Sequence, residues 1–558
     1  MAYDGITMWA VRRELKESLL QARIDRIYQP WPDTILINLR RQSGERYKLL
    51  LSAHPRRARV HLTTETLANP PHPSMFCMVL RKHLEGGRIA DITQKGLERQ
   101  LTFHIEAFNE LREPSLKQLI CEIMGKHSNI ILINPATKQI LDGMKRYSRA
   151  VSRYREVLPG STYLDPPPQN KLDPRQISQG EFQEKLLEKL DRKVSSALVD
   201  LLAGISPLLA GEIVFRAGLP EDIRVEYCGA YDLDILWQSL QKLTSELFAG
   251  RFRPTLVRVN GSPHVFSAAD LTSYPEETKI HPATVNETVD LFHRELRREE
   301  EFQARQKQLQ RLVKKQLEKC WKKASLQEDA FLLATKAQEL KIKGEILAAN
   351  LYRIEKGKKL VTLENFYDPN GALITIELEP DLTASQNVQN YFKQYTKAKN
   401  AATKARKQYE NTIEEIQYLQ SVAHSLDEAS SISDLEEIAQ ELHAQGYIKE
   451  PARPVSSGQK KTAGKPTFLQ AVSSDGYSIF IGKNNHQNDH LTLKVARDRD
   501  MWFHVKEMAG SHVHRSKSPR FGNSCPYHHR SRHPGSLFQQ GAAIFQSAGG
   551  LYGKKIRA

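Results

Sequence analysis

The chain has 558 residues, with 81 Lys+Arg against 65 Asp+Glu and a formal net charge of +16. That length exceeds one hydrophobic core, so about three to five domains are expected, and the basic balance points to a polyanionic partner, nucleic acid first and an anionic membrane surface second. No apolar run approaches the roughly 18 residues of a transmembrane helix, the start MAYDGITMWAVRREL lacks the apolar segment of a secretory signal, and five scattered cysteines without a CxxC pair fit reduced thiols in a cytoplasmic protein.

Residues 1 to about 170 read as a compact α/β or α+β domain. Ile6, Trp9, Ala10 and Leu15 mark an amphipathic first helix. ARIDRIYQP, TILINLR, RYKLLLSA and ARVHLT are period-two or continuously apolar, and Pro, Asp, Gly and Ser bound them as they bound strands. PSMFCMVLRKHLEGG predicts a helix ended by Gly86 and Gly87, and IADITQKGLERQLTFHIE predicts two strands joined near Gly96. In the stretch CEIMGKHSNIILIN (121–134), residues 116–124 are expected to close a helix, with Gly125 in the left-handed cap position. Ile130 to Ile133 are expected to form a buried strand whose hairpin partner is QILDGMKR. Lys126, His127, Ser128 and Asn129 then occupy a helix-to-strand corner. Two readings of it stand: a capped turn with solvated side chains, or a contact for a phosphate backbone.

LPGSTYLDPPPQNKLDP is a linker by composition. LVDLLAGISPLLAGEIVFRAGL predicts two apolar helices around a turn at Gly204, Ile205 and Ser206. That turn is either a helix-hairpin-helix whose amides face a phosphate or a plain αα-corner. Residues 285–352 and 388–447 are long, charged and helical. Phe302, Leu309, Val313, Leu317 and Cys320 in the first, and Tyr409, Ile413, Ile416, Leu419 and Leu426 in the second, form stripes at three- and four-residue spacing. Together they predict an antiparallel coiled-coil arm, capped by two strands from KKLVTLENFYDPNGALITIELEP. Lys314, Lys315, Lys319, Lys322 and Lys323 form a face suited to solvation or weak phosphate contact. A flexible linker follows, and a last domain starts at Thr467: strand, tight turn at Asp475 and Gly476, strand, Asn-rich loop, a short helix or strand, and a strand containing Trp502. Asp500, Trp502 and His504 alternate and share one face of that strand. The face is either half-buried core or a surface that stacks on a base and bonds its edges.

No P-loop, GxGxxG, HExxH or GxSxG motif is present. No catalytic residue, cofactor or metal is therefore expected, and the chain is read as a non-enzyme. The neighbouring acids Asp498 and Asp500 read as solvated. Cys525, His528, His529 and His533 have near-ligand spacing, but they lie in a stretch that has no Asp or Glu from Met508 onward and is unlike the rest of the chain. That stretch is expected to be a basic tail or an out-of-frame translation.

DGITM (4–8), FCMVLRKHLEGGRI (76–89), GLER (96–99), CEIMGKHSNIILIN (121–134), GEILAANLY (344–352), ENFYDPNG (364–371), GYSIFIGKNNHQNDHLT (476–492) and MWFHVKEMAGSHV (501–513) occur in one order. Through them the chain resembles the NFACT family, and within it the bacterial ribosome quality-control factors, from residue 1 to about 519. The resemblance implies a multidomain α+β protein. Its parts are an NFACT-N domain (1–172) with a glycosylase-like α/β fold, a helix-hairpin-helix domain (173–250) and a coiled-coil arm (280–447) with a β cap at about 353–387. A linker (451–466) and an NFACT-R RNA-binding domain (467–519) follow. Glycosylase chemistry is not implied, because those enzymes use an N-terminal proline amine and here Met1 precedes Ala2 and Tyr3.

The implied activity is rescue of stalled large (50S) subunits that still carry peptidyl-tRNA. Alanyl-tRNA is recruited and a C-terminal alanine tail grows without mRNA or small subunit. Carried over residue by residue, the implied tRNA-binding set is Glu98, Arg99, Glu122, Ile123 and Met124, with Lys126 and Asn129 supporting it. Glu98 stands where the family has Asp, one methylene shorter. Asp500, Trp502 and His504 match an Asp-x-Trp-x-His element of the RNA-binding domain. A monomer that does not engage a membrane is expected. After Pro519 the family's ending is replaced by the aberrant basic tail, 520–558. Permitted codons read one nucleotide later restore the family's ending almost throughout, so a frameshift is expected there. Two other classes compete: a surface adhesin for fibronectin, the family's older name, and a DNA-processing enzyme suggested only by the glycosylase-like fold and the hairpin.

Overall fold

The computed structural model describes residues 3–108, 113–148, 150, 154–369, 371–448, 468–473, 477–497, 500–504 and 512–515. It divides into two units, Met1–Glu299 and Glu300–Ala558. The readings made for the linker 451–466, the turn at Asp475 and Gly476, Asp498, the Cys/His set and the frameshifted tail lie outside the described residues. Among the described residues no helix is long and apolar enough to cross a membrane.

The first unit opens with α1 (Gly5–Leu19), then β1 (Arg23–Trp31), β2 (Thr34–Arg40), β3 (Arg46–Ser52), β4 (Arg59–Leu62), α2 (Met75–Leu84), β5 (Arg88–Gln94), β6 (Gln100–Phe108), β7 (Pro114–Glu122), β8 (Asn129–Asn134) and β9 (Gln139–Gly143). The strands form one nine-stranded sheet in the order β4-β3-β2-β1-β5-β6-β7-β8-β9. It consists of two antiparallel meanders joined where Arg23 faces Arg88. Short turns dictate this order, since consecutive antiparallel strands need only hairpins. One face packs on α1 and α2 through Ile6, Leu15, Leu80, Leu119, Cys121, Ile130 and Leu132. The alternate residues Ile120, Ile131, Ile133 and Ile140 meet Val157, Tyr147 and Tyr163 on the other face. The run Ile130 to Ile133 is wholly apolar because both faces of its strand are covered.

Residues 116–124 are therefore not a helix end. Their side chains alternate between the two cores, and the segment pairs with β6 from Phe108↔Pro114 to Gln100↔Glu122. Gly125 does adopt a left-handed conformation, φ +60°. It turns one strand into the next through a short 3-10 turn, Gly125–His127.

The helices α3 (Gln179–Leu187), α4 (Val194–Leu201), α5 (Pro207–Arg216) and α6 (Ala230–Phe248) complete the core of this unit. A three-stranded sheet follows, with β10 (Thr255–Val259) between β11 (Ser262–Ser267) and β12 (Lys279–Ile280). Sequence patterning left this sheet unread, because its strands are short and carry prolines and polar residues.

In the second unit, α7 (Val285–Ala349), which starts in the first unit, and α8 (Ala384–Glu428) form the arm. Leu309, Val313, Cys320, Ile416, Leu419 and Leu426 are buried in one cluster, with Phe302, Leu317, Tyr409 and Ile413 packed against it. The cap is the hairpin of β13 (Leu360–Glu364) and β14 (Leu373–Glu377), packed on Ile346, Leu347 and Val388. The return leg is not continuous to 447. It ends at Glu428, and α9 (Ile432–Ala444) starts afresh behind Ser431, whose side chain and that of Asp434 cap each other's backbone. The last domain contains β15 (Leu469–Val472), β16 (Ser478–Ile481), α10 (Asn485–His490), β17 (Met501–Phe503) and β18 (Val513–Arg515), with sheet order β15-β16-β18-β17. The expected Asn-rich loop is in fact the capped start of α10: Asn484 accepts from the Gln487 amide, 2.8 Å.

Candidate nucleic-acid interface

Two turns meet at one end of the large sheet. The β5–β6 turn carries Glu98 and Arg99, and the β7–β8 turn carries Ile123, Met124 and Lys126. They are tied together by the Ile123 amide donating to the Arg99 carbonyl, 2.8 Å. Strand pairing therefore brings together residues that are more than twenty positions apart in the chain.

The side chains play different parts. Ile123 is buried in the main core. Met124 is half-buried, Lys126 and His127 are exposed, and Ser128 and Asn129 are buried. The Ser128 hydroxyl accepts from the Met124 amide, 2.8 Å. Asn129 holds Lys145: its Nδ2 donates to the Lys145 carbonyl, 2.8 Å, and its Oδ1 accepts from the Lys145 amide, 2.9 Å. Half of the polar corner is thus structural, and its exposed part is Lys126 and His127.

Glu122 points to the second face of the sheet and is fully enclosed. Arg155 donates to both its oxygens, at 2.6 and 2.5 Å, and the Tyr163 hydroxyl donates to Oε1 at 2.9 Å. Arg155 also donates to the Leu164 carbonyl, 2.9 Å. Burial opposes the Arg155 charge, but the hydrogen bonds to Glu122 and its attraction outweigh that and hold the guanidinium pKa up. Burial first, and then the Glu122 charge, keep Tyr163 a neutral donor. Sequence reasoning missed both partners. Nothing local marks them, since Arg155 lies 33 positions and Tyr163 41 positions from Glu122.

The same sheet end is closed by the start of α1 and the α4–α5 turn. Asp4 accepts from the Thr7 amide, 2.8 Å, and from the Ser206 hydroxyl, 2.6 Å. Burial pushes its carboxyl up, while the Ser206 and Thr7 hydrogen bonds and the Arg99 charge pull it back. The Ile6 amide donates to the Gly204 carbonyl, 3.3 Å. Ile205 and Ser206 are buried. The hairpin turn is thus occupied by the protein's own N-terminal segment, which favours the αα-corner over a phosphate cradle. The approach is close: a Cβ on Gly5 would lie 2.0 Å from the Leu97 carbonyl oxygen and 2.7 Å from Gly204 Cα. Gly5→Ala is expected to force this junction apart and cost about 1–3 kcal/mol or more. Thermal unfolding checks it, and an unshifted transition would contradict the packing described. Glu98 is half-buried and accepts from Gln169 Nε2, 2.7 Å. Arg99 is half-buried beside it.

In the second unit, Trp502 and His504 stack with centroids 5.7 Å apart and planes 12° apart. His512, which sequence reasoning did not single out, sets its ring edge-on to both, at 5.3 and 4.8 Å. Trp502 Nε1 is buried without a hydrogen-bond partner. Asp500 stands in the bend before β17, where its carboxylate accepts from the Arg497 amide, 2.9 Å. The structure therefore joins Trp502 to His504 and gives Asp500 a turn-closing contact. Burial, with His504 and His514 adding to it, lowers the His512 pKa to about 4. The folded protein thus binds fewer protons than the unfolded chain between about pH 4 and the ordinary histidine value near 6.5, so this ring cluster loses stability as pH falls through that window. The fluorescence that Trp502→Phe removes is expected to carry a change near pH 4 that His512→Asn abolishes. A change near pH 4 that persists in His512→Asn would contradict this environment.

The model of the NFACT N-terminal and middle domains matches residues 4–462, and the chain belongs to the NFACT family. It is 37% identical over 520 residues to the Rqc2 homolog RqcH of Bacillus subtilis, covering 92% of this chain and 87% of that protein. A shorter match, 30% over 130 residues, is to the human ribosome quality control complex subunit NEMF, covering 23% of this chain and 11% of that protein. Among solved structures, the fibrinogen binding protein from Staphylococcus aureus aligns over 52% of this chain and 99% of its own, at 30% identity and a TM-score of 0.44.

Proposed function

We propose that this chain is a ribosome-associated quality-control factor. It binds large subunits that retain peptidyl-tRNA and recruits alanyl-tRNA for mRNA-independent C-terminal alanine tailing. The observation that carries the proposal is family membership along most of the chain together with the relationship to RqcH. The net charge of +16 supports it, because counterion release from phosphates supplies affinity to a basic protein.

In this reading the protein positions substrates, and peptidyl transfer belongs to the ribosomal RNA. The N-terminal unit is a glycosylase-like scaffold reused for RNA, the arm reaches the subunit, and the last domain binds RNA through Trp502 and His504. Glu98, Arg99, Met124 and Lys126 meet the tRNA, while Glu122, Ile123 and Asn129 hold the surface that presents them. The site of action is the cytoplasm. Sedimentation of the tagged chain through a sucrose gradient is the test. Co-migration with large subunits rather than intact ribosomes is expected. Recovery at the cell surface alone would favour the fibronectin-binding adhesin.

A further inference from the structure

We propose that a groove in the first unit, between the β1–β2 turn and the start of α2, takes one unstacked nucleotide of a single-stranded RNA segment. The groove encloses about 630 Å³ and is walled by Trp31, Met75, Phe76 and Met144, with His72 and Arg146 also lining it. That volume falls within the range of small-ligand sites. None of its lining residues is acidic. The Trp31 indole and the Met75 and Met144 thioethers are the apolar, polarisable groups on which bases of any sequence stack, while Phe76 is buried in the core.

Arg146 supplies the phosphate contact. Its Nε and Nη2 donate to the two oxygens of Asp142, each at 2.8 Å. The Asp142 side chain is 1% exposed and that of Arg146 is 46% exposed. A buried carboxylate therefore fixes one edge of the guanidinium and leaves Nη1 for an anion, the geometry in which arginine binds phosphate with little ordering cost. The Asn129 clasp on Lys145 and the Met144 amide donating to the Ile130 carbonyl, 2.9 Å, fix the segment carrying Met144 and Arg146. Asn129 is thus a positioning residue for this groove. The Arg297 guanidinium lies 5.0 Å from the Trp31 ring centroid and pairs with Glu65, which steadies the indole.

RNA fits better than a proline-rich peptide. The walls already carry Pro30, Pro32 and Pro70, and the arginine calls for an anion that every nucleotide brings. The inference rests on the reading that the N-terminal unit binds RNA, and it adds a contact distinct from Arg99.

The full chain is irradiated with a short oligo-uridine RNA carrying 4-thiouridine, and the adducts are mapped by mass spectrometry. Adducts on Trp31, Met75 or Met144 are expected. Trp31→Ala and Met75→Glu should each lower them about tenfold, and Trp31→Phe should retain them. Met75 is 70% exposed, so its replacement leaves the core intact. Adducts confined to the Trp502 region would overturn the proposal. So would displacement of the RNA by a proline-rich peptide that itself occupies the groove. Groove adducts in a chain that co-purifies no tRNA would support the groove and defeat the ribosomal reading. Co-purified tRNA with adducts indifferent to Met75→Glu would do the reverse.

Discussion

Arg155→Ala is expected to destabilise the first unit by about 3–5 kcal/mol, the usual cost of leaving a buried charge without its partner. For a unit of about 300 residues, with an unfolding entropy of about 2.1 cal/mol/K per residue, that corresponds to a fall of roughly 5–8 °C in its unfolding midpoint. The Glu122 side chain is 0% exposed and that of Arg155 is 6% exposed, so water cannot replace the lost bonds. Tyr163 can satisfy one oxygen of Glu122 but not both. Replacing Glu122 by Ala should do comparable damage by stranding the guanidinium. Replacing the whole trio with apolar residues of similar size (Glu122→Met, Arg155→Met, Tyr163→Phe) should recover most of the loss, because the desolvation cost disappears with the charges. Differential scanning calorimetry of the four chains is the check. An Arg155→Ala midpoint within about a degree of the native one would remove Glu122 from the structural frame. Loss of tRNA binding on replacing Glu122 would therefore report folding as well as contact, and Met124 is the better probe of this turn.

Arg99→Ala is expected to weaken tRNA recruitment strongly while leaving large-subunit association in place. The Arg99 carbonyl accepts from the Ile123 amide, a main-chain tie that the substitution keeps. Its side chain contributes charge at the sheet end, where Asp4 feels it. Removing one phosphate-directed cation weakens binding across sequences rather than at one base. The salt dependence of tRNA binding should become shallower by about one unit of slope. Retained recruitment with an unchanged salt slope would move the tRNA contact elsewhere, with Lys126 as the next residue to replace.

Legibility varied along the chain for physical reasons. The strands of 23–62 could be read because period two and bounding turn residues act together. The arm could be read because Leu309, Val313 and Cys320 repeat along a charged background. The strand before Gly125 was misread as a helix end, since a left-handed glycine serves a helix cap and a strand turn equally well. The break before α9 was missed, because Ser431 and Asp434 act as a cap only where the chain leaves the helix. At the candidate site, Glu98, Arg99 and Met124 came from family motifs, and strand register explains why they lie together. Arg155, Tyr163 and the tie between Ser206 and Asp4 were not legible, because each joins partners distant in the chain and no local pattern encodes such pairs. His512 was not legible either, because its ring meets Trp502 and His504 only once the strands pair.

The central claim is that this chain handles tRNA on large ribosomal subunits. Affinity purification of the native chain and of Arg99→Ala, followed by sequencing of the bound RNA, tests it most directly. The native chain should return large-subunit ribosomal RNA together with alanine tRNA, and Arg99→Ala should return the ribosomal RNA with the tRNA strongly depleted. A native chain that returns neither RNA above background contradicts the account.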